Sequence, residues 1–188
     1  MNNEKKPMDV IATTGRLLIR PLSPADLPAL AGILGDPEVM RYSVRGVCDA
    51  AATGRFLDWC LASYARDGIG PWALVEKGGT DLIGFCGIGR ERVGEVEEIN
   101  LGYRLARSCW GRGLATEAVQ AVLSFALDKQ ARESVVVIVE PEHMASLRVA
   151  EKAGFRRYQE TRFHGKSVRL YRLTRAEWLA AGSSAPGI

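Results

Sequence analysis

Residues 101–117, LGYRLARSCWGRGLATE, concentrate the groups whose types and spacing can do chemistry. Gly111 and Gly113 fall between a strand-like run and a helix-like run. Glycine there lets the backbone turn sharply, so that several N–H groups converge beside the positive end of a helix. Such a concavity takes a phosphate. Arg107 and Arg112 would add full charges, although on the loop alone a plain glycine turn with solvated arginines competes with this reading. The nucleotide P-loop pattern, GxxxxGK followed by Ser or Thr, is absent. A dinucleotide fingerprint comes nearer, with Glu140 ending the next strand. Thr116, however, stands where its third glycine belongs, and fewer than 50 residues follow Glu140, too few for the rest of a doubly wound sheet.

The elements that must position this loop follow from periodicity. Residues 97–105 predict a strand with Leu101, Tyr103 and Leu105 on one face and Glu98, Asn100, Gly102 and Arg104 on the other. Beyond the glycines, Leu114, Ala118, Ala121, Val122 and Phe125 form one apolar stripe at helical spacing, so a helix is expected to about residue 129. Residues 135–139 are apolar at every position, which suits a strand buried on both faces. Strand, helix and buried strand make a right-handed βαβ unit with a parallel pair. A helix over 146–152, stopped at Gly154, and two closing strands over 155–163 and 167–173 complete this half.

Upstream, residues 16–20 predict a strand closed by Pro21, and Ser23 with Pro24 begins a helix carrying Leu27, Leu30, Ile33 and Leu34. A second helix is expected over 49–66, and residues 72–76 and 82–87 read as a hairpin around 77–80. The order is α/β (α+β) around one mixed sheet. One domain is expected over 10–181, with loose tails at 1–9 and 182–188.

The 188 residues are 47% apolar and 25% charged, the proportions of one soluble globular domain. A net charge of +3 gives no argument for nucleic acid, and no apolar run approaches a bilayer span. Cys48, Cys60, Cys86 and Cys109 form no CxxC pair, and with only His143 and His164 available no metal site is expected. With no export signal in evidence, a cytoplasmic protein with reduced thiols is the expectation.

Trp110-Gly-Arg-Gly-Leu-Ala115 resembles the acetyl-CoA loop (Gln/Arg-x-x-Gly-x-Gly/Ala) of the Gcn5-related N-acetyltransferases, with Trp110 in the Gln/Arg position. The runs at 102–105, 110–113 and 115–118 look like the branch containing the ribosomal-protein-alanine N-acetyltransferases. A second block, VEPEHMASLRVAEKAGF over 139–155, resembles that branch's VxPxNxxSxxVxEKxGF.

The resemblance implies a single domain whose mixed, mostly antiparallel sheet splays at a central parallel strand pair and is flanked by helices. It also implies an acyltransferase with acetyl-CoA as co-substrate. The acceptor would be a primary amine, on a small molecule or a protein N-terminus, attacked directly in a ternary complex by a monomer or homodimer. Tyr103 and Leu105 would offer backbone groups to pantetheine. The amides of Trp110, Gly111, Arg112, Gly113, Leu114 and Ala115 would hold the pyrophosphate, with Arg107 nearby. Ser146 matches the branch's serine, taken to protonate the departing thiolate, while Ala150 lies near the place of the tyrosine that other members use. His143 replaces the usual Asn beside the cofactor arm. Asn100 replaces the Glu often used as base, which leaves Glu98, two residues earlier on the same face, to act through a water while Asn100 orients the amine or that water. Residues 37–70 and 162–166 would shape the acceptor site, and Tyr42, Trp59, Tyr64 and Trp72 could line a pocket. The two replacements also fit a non-catalytic acyl-CoA-binding or sensing module, the alternative reading.

Overall fold

The computed structural model describes residues 10–182; the expected tail over 1–9 and all but Gly182 of the second tail lie outside the described residues. The described strands are β1 (Ala12–Thr13), β2 (Leu17–Pro21), β3 (Pro71–Glu76), β4 (Leu82–Val93), β5 (Val96–Leu105), β6 (Ser134–Val139), β7 (Tyr158–Phe163) and β8 (Lys166–Thr174). They form one eight-stranded sheet in the order β1-β2-β3-β4-β5-β6-β8-β7. Every neighbouring pair is antiparallel except β5 and β6.

That exception makes the site. β4 and β5 stay in register from Gly84 opposite Leu105 to Val93 opposite Val96, whereas β5 and β6 pair only at Asn100 and Val136. Beyond Asn100 the two parallel strands part, and a wedge opens in the middle of the sheet.

Helices cover both faces. α1 (Leu27–Leu34), the short α2 (Pro37–Met40) and α3 (Ala50–Asp67) pack Leu30, Ile33, Phe56 and Leu57 against Ala73 and Phe85 of the sheet. α4 (Leu114–Ser124) and α5 (Met144–Lys152) cover the other face, where Leu114, Val122, Leu147 and Phe155 meet Leu17, Ile19, Trp72, Leu101 and Leu105. α6 (Arg175–Ala180) follows β8. The strand alternation read in the sequence is what divides these two cores.

Local chemistry sets the element ends. The Asp49 carboxylate accepts the Ala52 N–H at 2.7 Å and starts α3, and Gly68 closes it in the left-handed conformation, φ 67°. Ser23 and Pro24 open a single 3-10 turn rather than the α-helix itself, which begins at Leu27. Asp26 reaches back to the Ser23 N–H and is clamped by the buried Arg20 through two bonds of 2.7 and 2.8 Å. The last helical turn after Ser124 widens into a π-turn to Lys129, so the expected length holds with a changed pitch. The strand expected from residue 155 begins at Tyr158 instead; Phe155, after Gly154 at φ 103°, plugs the core.

Among the described residues no helix is long and apolar enough to cross a membrane, and no group of three or more His, Cys, Asp or Glu could hold a metal ion. The four cysteines are free and buried.

Candidate active site

The wedge leads into a cavity of about 650 Å³ that passes through the sheet. Val119, Val149 and Ala150 line it from the α4 and α5 side; Leu34, Phe56 and Trp59 line it from the α1–α3 side. Gly87, in the cavity wall, lets the backbone of Gly70 and Pro71 pass close to β4: a Cβ there would sit 2.0 Å from the Gly70 carbonyl oxygen. The segments expected to shape an acceptor site reach it through Tyr42, Arg45 and Trp59, and through Phe163, His164 and Lys166. Tyr64 and Trp72, also candidates to line a pocket, turn inward; Trp72 is 1% exposed.

A chain of hydroxyls sits where β5 faces the first turn of α5. Tyr103 Oη lies 3.0 Å from Ser146 Oγ, and Ser146 Oγ lies 3.2 Å from His143 Nε2. The His143 ring stacks on Tyr42 at 4.1 Å between centroids. Burial pushes the His143 pKa down to about 4, aided by the nearby Arg104 charge and opposed by Glu140, so the imidazole is neutral at physiological pH. Burial likewise raises the Tyr103 phenol above its ordinary value, against a smaller opposite effect of the Ser146 bond. Tyr103 is thus a protonated donor across the neutral range. Ala150, in the place read as vacated by a tyrosine, is buried. The hydroxyl comes from β5 instead.

The glycine loop is braced from three sides. Residues Arg107–Cys109 form a 3-10 turn, and the Trp110 indole N–H then donates to the Leu105 carbonyl at 2.9 Å. Gly111 and Gly113 adopt φ of 73° and 79°, a region that side chains with a Cβ rarely enter, and Gly113 caps α4. Arg16 donates to the Arg112 carbonyl at 2.8 Å and to Glu117 at 2.7 Å, while Thr14 also donates to Glu117. Glu117 in the first turn of α4 therefore ties the helix to β1 and β2, a larger role than offsetting the helix dipole. This loop, the helix start and the open wedge fit a pyrophosphate on a long flexible arm.

Several expected residues stand differently from their sequence reading. The Arg112 guanidinium pairs with Glu76, and that of Arg107 lies 3.8 Å from Asp36. Both pairs are largely exposed and screened by solvent, little obstacle to a phosphate. The Tyr103 carbonyl accepts from Arg104 at 2.8 Å and the Leu105 carbonyl from Trp110, so each offers pantetheine only its remaining lone pair or its amide.

Glu98 stands apart from the cavity. Its carboxylate is held by Arg172 through bonds of 2.5 and 2.9 Å, and it does not line the cavity. Alternation does put it on the face of Asn100, but it lies on the paired side of the splay, where β8 reaches it. Asn100 itself lines the cavity, and its Oδ1 is buried with no hydrogen-bond partner among the described residues.

Three residues of the site went unread. Tyr103 was assigned only its backbone, Tyr42 only a place among candidate aromatics, and Arg104 nothing beyond its strand face. The Tyr103 hydroxyl was signalled only by its face, the one that α5 must cover if the βαβ reading is right.

The family model described as an acetyltransferase (GNAT) domain matches residues 16–156. An uncharacterized protein of Bacillus subtilis (strain 168), YkkB, is 30% identical over 159 residues, covering 84% of this chain and 92% of its own. The crystal structure of an acetyltransferase from Agrobacterium tumefaciens str. C58 superposes with a TM-score of 0.73 at 27% identity, over 86% of this chain and 92% of the other. RimL, a ribosomal L7/L12 alpha-N-protein acetyltransferase solved with coenzyme A, shares the fold at a TM-score of 0.72 and 15% identity, over 88% and 98% of the two chains. With the family model spanning most of the chain, and with the splayed sheet and glycine loop in place, this protein belongs to the GNAT acetyltransferase family.

Proposed function

We propose that this N-acetyltransferase moves an acetyl group from acetyl-CoA to a primary amine by direct attack in a ternary complex, with Ser146 as the proton donor to sulfur. The observation that carries the proposal is the hydroxyl chain Tyr103–Ser146–His143 at the inner end of the wedge. The amides from Trp110 to Ala115 and the start of α4 hold the pyrophosphate, and the β5 backbone at Tyr103 and Leu105 guides the pantetheine arm. Acetyl-CoA, when bound, supplies an activated acyl thioester.

The chain's own groups then have separate tasks. Asn100 Oδ1, a buried acceptor without a partner, takes an N–H of the incoming amine and aims its lone pair. Ser146 gives its proton to the departing sulfur, Tyr103 passes its phenolic proton on to Ser146, and the phenol takes up a proton from solvent, into which the amine's surplus proton is released. Neutral His143, fixed by its stacking on Tyr42, keeps the serine hydroxyl oriented. The amine arrives in its neutral form and its surplus proton leaves to water, so no carboxylate base is needed. Glu98 instead pins β5 to β8 through Arg172. The four buried, unpaired thiols suit a cytoplasmic setting.

Initial rates of thiol release over a grid of acetyl-CoA and amine concentrations test the proposal. Intersecting reciprocal plots support direct attack; parallel plots would mean that an acyl-enzyme forms first.

A further inference from the structure

Arg104 projects from the face of β5 that carries Asn100 and Gly102 and lines the cavity. Its guanidinium donates to the Tyr103 carbonyl at 2.8 Å, leaving the other N–H groups of its five-donor fork without an acceptor among the described residues. Among the described residues no carboxylate stands within ion-pair distance of it. The contrast with the buried Arg20 is plain, since both of that residue's outer nitrogens are matched by Asp26.

Among the charged residues that line the cavity, Arg45, Arg90, Arg104 and Lys166 outnumber Glu91 and Glu140. Arg45 also lines the cavity, stacked over Trp59 at 5.8 Å, and has no carboxylate partner among the described residues. Glu140, an acid on the same wall, is taken up by Lys166 at 2.6 Å. Burial disfavours the charged form of Arg104, yet an arginine stays ionised at neutral pH. A half-buried, unmatched guanidinium is costly, and an anion placed against it recovers a bidentate, charge-assisted pair.

The anion does not belong to the coenzyme arm. Arg104 shares its strand face with the α1–α3 side of the sheet, where it stands opposite Phe85, whereas the glycine loop opens α4 on the other side. Resting on the N-acetyltransferase reading above, we infer that the acceptor is an anionic primary amine whose carboxylate docks on Arg104, with Arg45 adding to the field at the rim. A free amino acid and a peptide with an acidic side chain near its N-terminus share this chemistry; a polyamine lacks it.

The test compares free amino acids, their carboxamides and short peptides with Asp or Asn at the second position, using acetyl-CoA and rates expressed per neutral amine. The wild type should favour the carboxylate member of each productive pair by at least roughly tenfold in kcat/KM, the effect of one charge-assisted hydrogen bond. Arg104→Leu should reduce that preference to near unity, Arg104→Lys should restore part of it, and acetyl-CoA affinity by calorimetry should change less than about threefold. Preference in the amino acid pairs or in the peptide pairs identifies the source of the carboxylate. Equal rates within every wild-type pair, a preference that survives Arg104→Leu, or loss of acetyl-CoA binding in both folded variants would overturn the inference. If no amine is acetylated, the transferase reading fails separately. Binding of an amino acid and its carboxamide to the CoA-saturated protein then decides the subsite: tighter binding of the acid that Arg104→Leu removes upholds it, and equal binding overturns it.

Discussion

Tyr103 and Ser146 lie far apart in the chain, yet their hydroxyls approach to 3.0 Å where β5 meets the first turn of α5. A serine alone in an apolar wedge would donate its proton and be left as an alkoxide. A neighbouring phenol removes that cost by replacing the proton.

Ser146→Ala is therefore expected to lower kcat by about 100-fold, and by more than it weakens acetyl-CoA binding. Tyr103→Phe should lower kcat by roughly tenfold. Because the two hydroxyls act as one relay, the double variant should be little worse than Ser146→Ala alone. Steady-state kinetics of the three variants, with acetyl-CoA affinity measured by calorimetry, check this.

The pH dependence of turnover separates a base on the enzyme from an amine that arrives neutral. His143, held down to about 4 by burial and the Arg104 charge, takes up no proton between pH 6 and 9. The acid limb of kcat/KM should thus follow the acceptor's own amine pKa, about 7.7–8.0 for an α-amine of a peptide, and move when an amine of different basicity is used. A limb fixed across such amines would reveal a titrating group on the protein.

The same histidine makes stability pH-dependent. Unfolded, it binds a proton near pH 6.5; folded, only near 4. Between those values the unfolded state holds the extra proton, so His143 contributes stability above pH 6.5 that is lost as the pH falls through this window. In urea melts, His143→Asn should lose less stability than the wild type between pH 7 and 4.5.

Gly113→Asp probes the loop. Asp tolerates the left-handed conformation better than most residues, so the fold should survive with a cost of about 1 kcal/mol. Its carboxylate would face the pyrophosphate, and acetyl-CoA affinity should fall by at least about 100-fold. Titration calorimetry reads both this and the integrity of the remaining site.

Glu98→Gln should be a stability variant. It leaves Arg172 without its ionised partner, which is expected to cost about 1–2 kcal/mol and to lower the melting temperature by roughly 2–8 °C. Turnover of the folded enzyme should stay within about threefold. A collapse of kcat with unchanged melting would return Glu98 to the chemistry.

Which features the sequence announced follows from the range of the forces that make them. The glycine loop, the α3 cap at Asp49, the apolar stripe of α4 and the fully apolar β6 are local, and each is legible in its own few residues. β1 and α2 span two and four residues, too short to show a period. Glu98 was placed on the right strand face, but its partner arrives from β8, 74 residues later. Tyr103 was likewise assigned to the right face, and only the docking of α5 turns its hydroxyl from a packed aromatic into half of a relay. Arg104 is a charged strand residue like any other in the sequence; that no carboxylate comes within ion-pair distance of it among the described residues, and that it lines the cavity, are properties of the folded chain.

Acetyl transfer to an amine through Ser146 is measured most directly by following coenzyme A release and the acetylated product together, by thiol assay and mass spectrometry, for wild type and Ser146→Ala with a panel of primary amines. The wild type should form one N-acetylated product per thiol released, and the variant should form both about 100-fold more slowly. Acetyl-CoA binding with no acetylated amine in the panel would contradict it and leave an acyl-CoA-binding module. Equal turnover by the two proteins would remove Ser146 from the reaction.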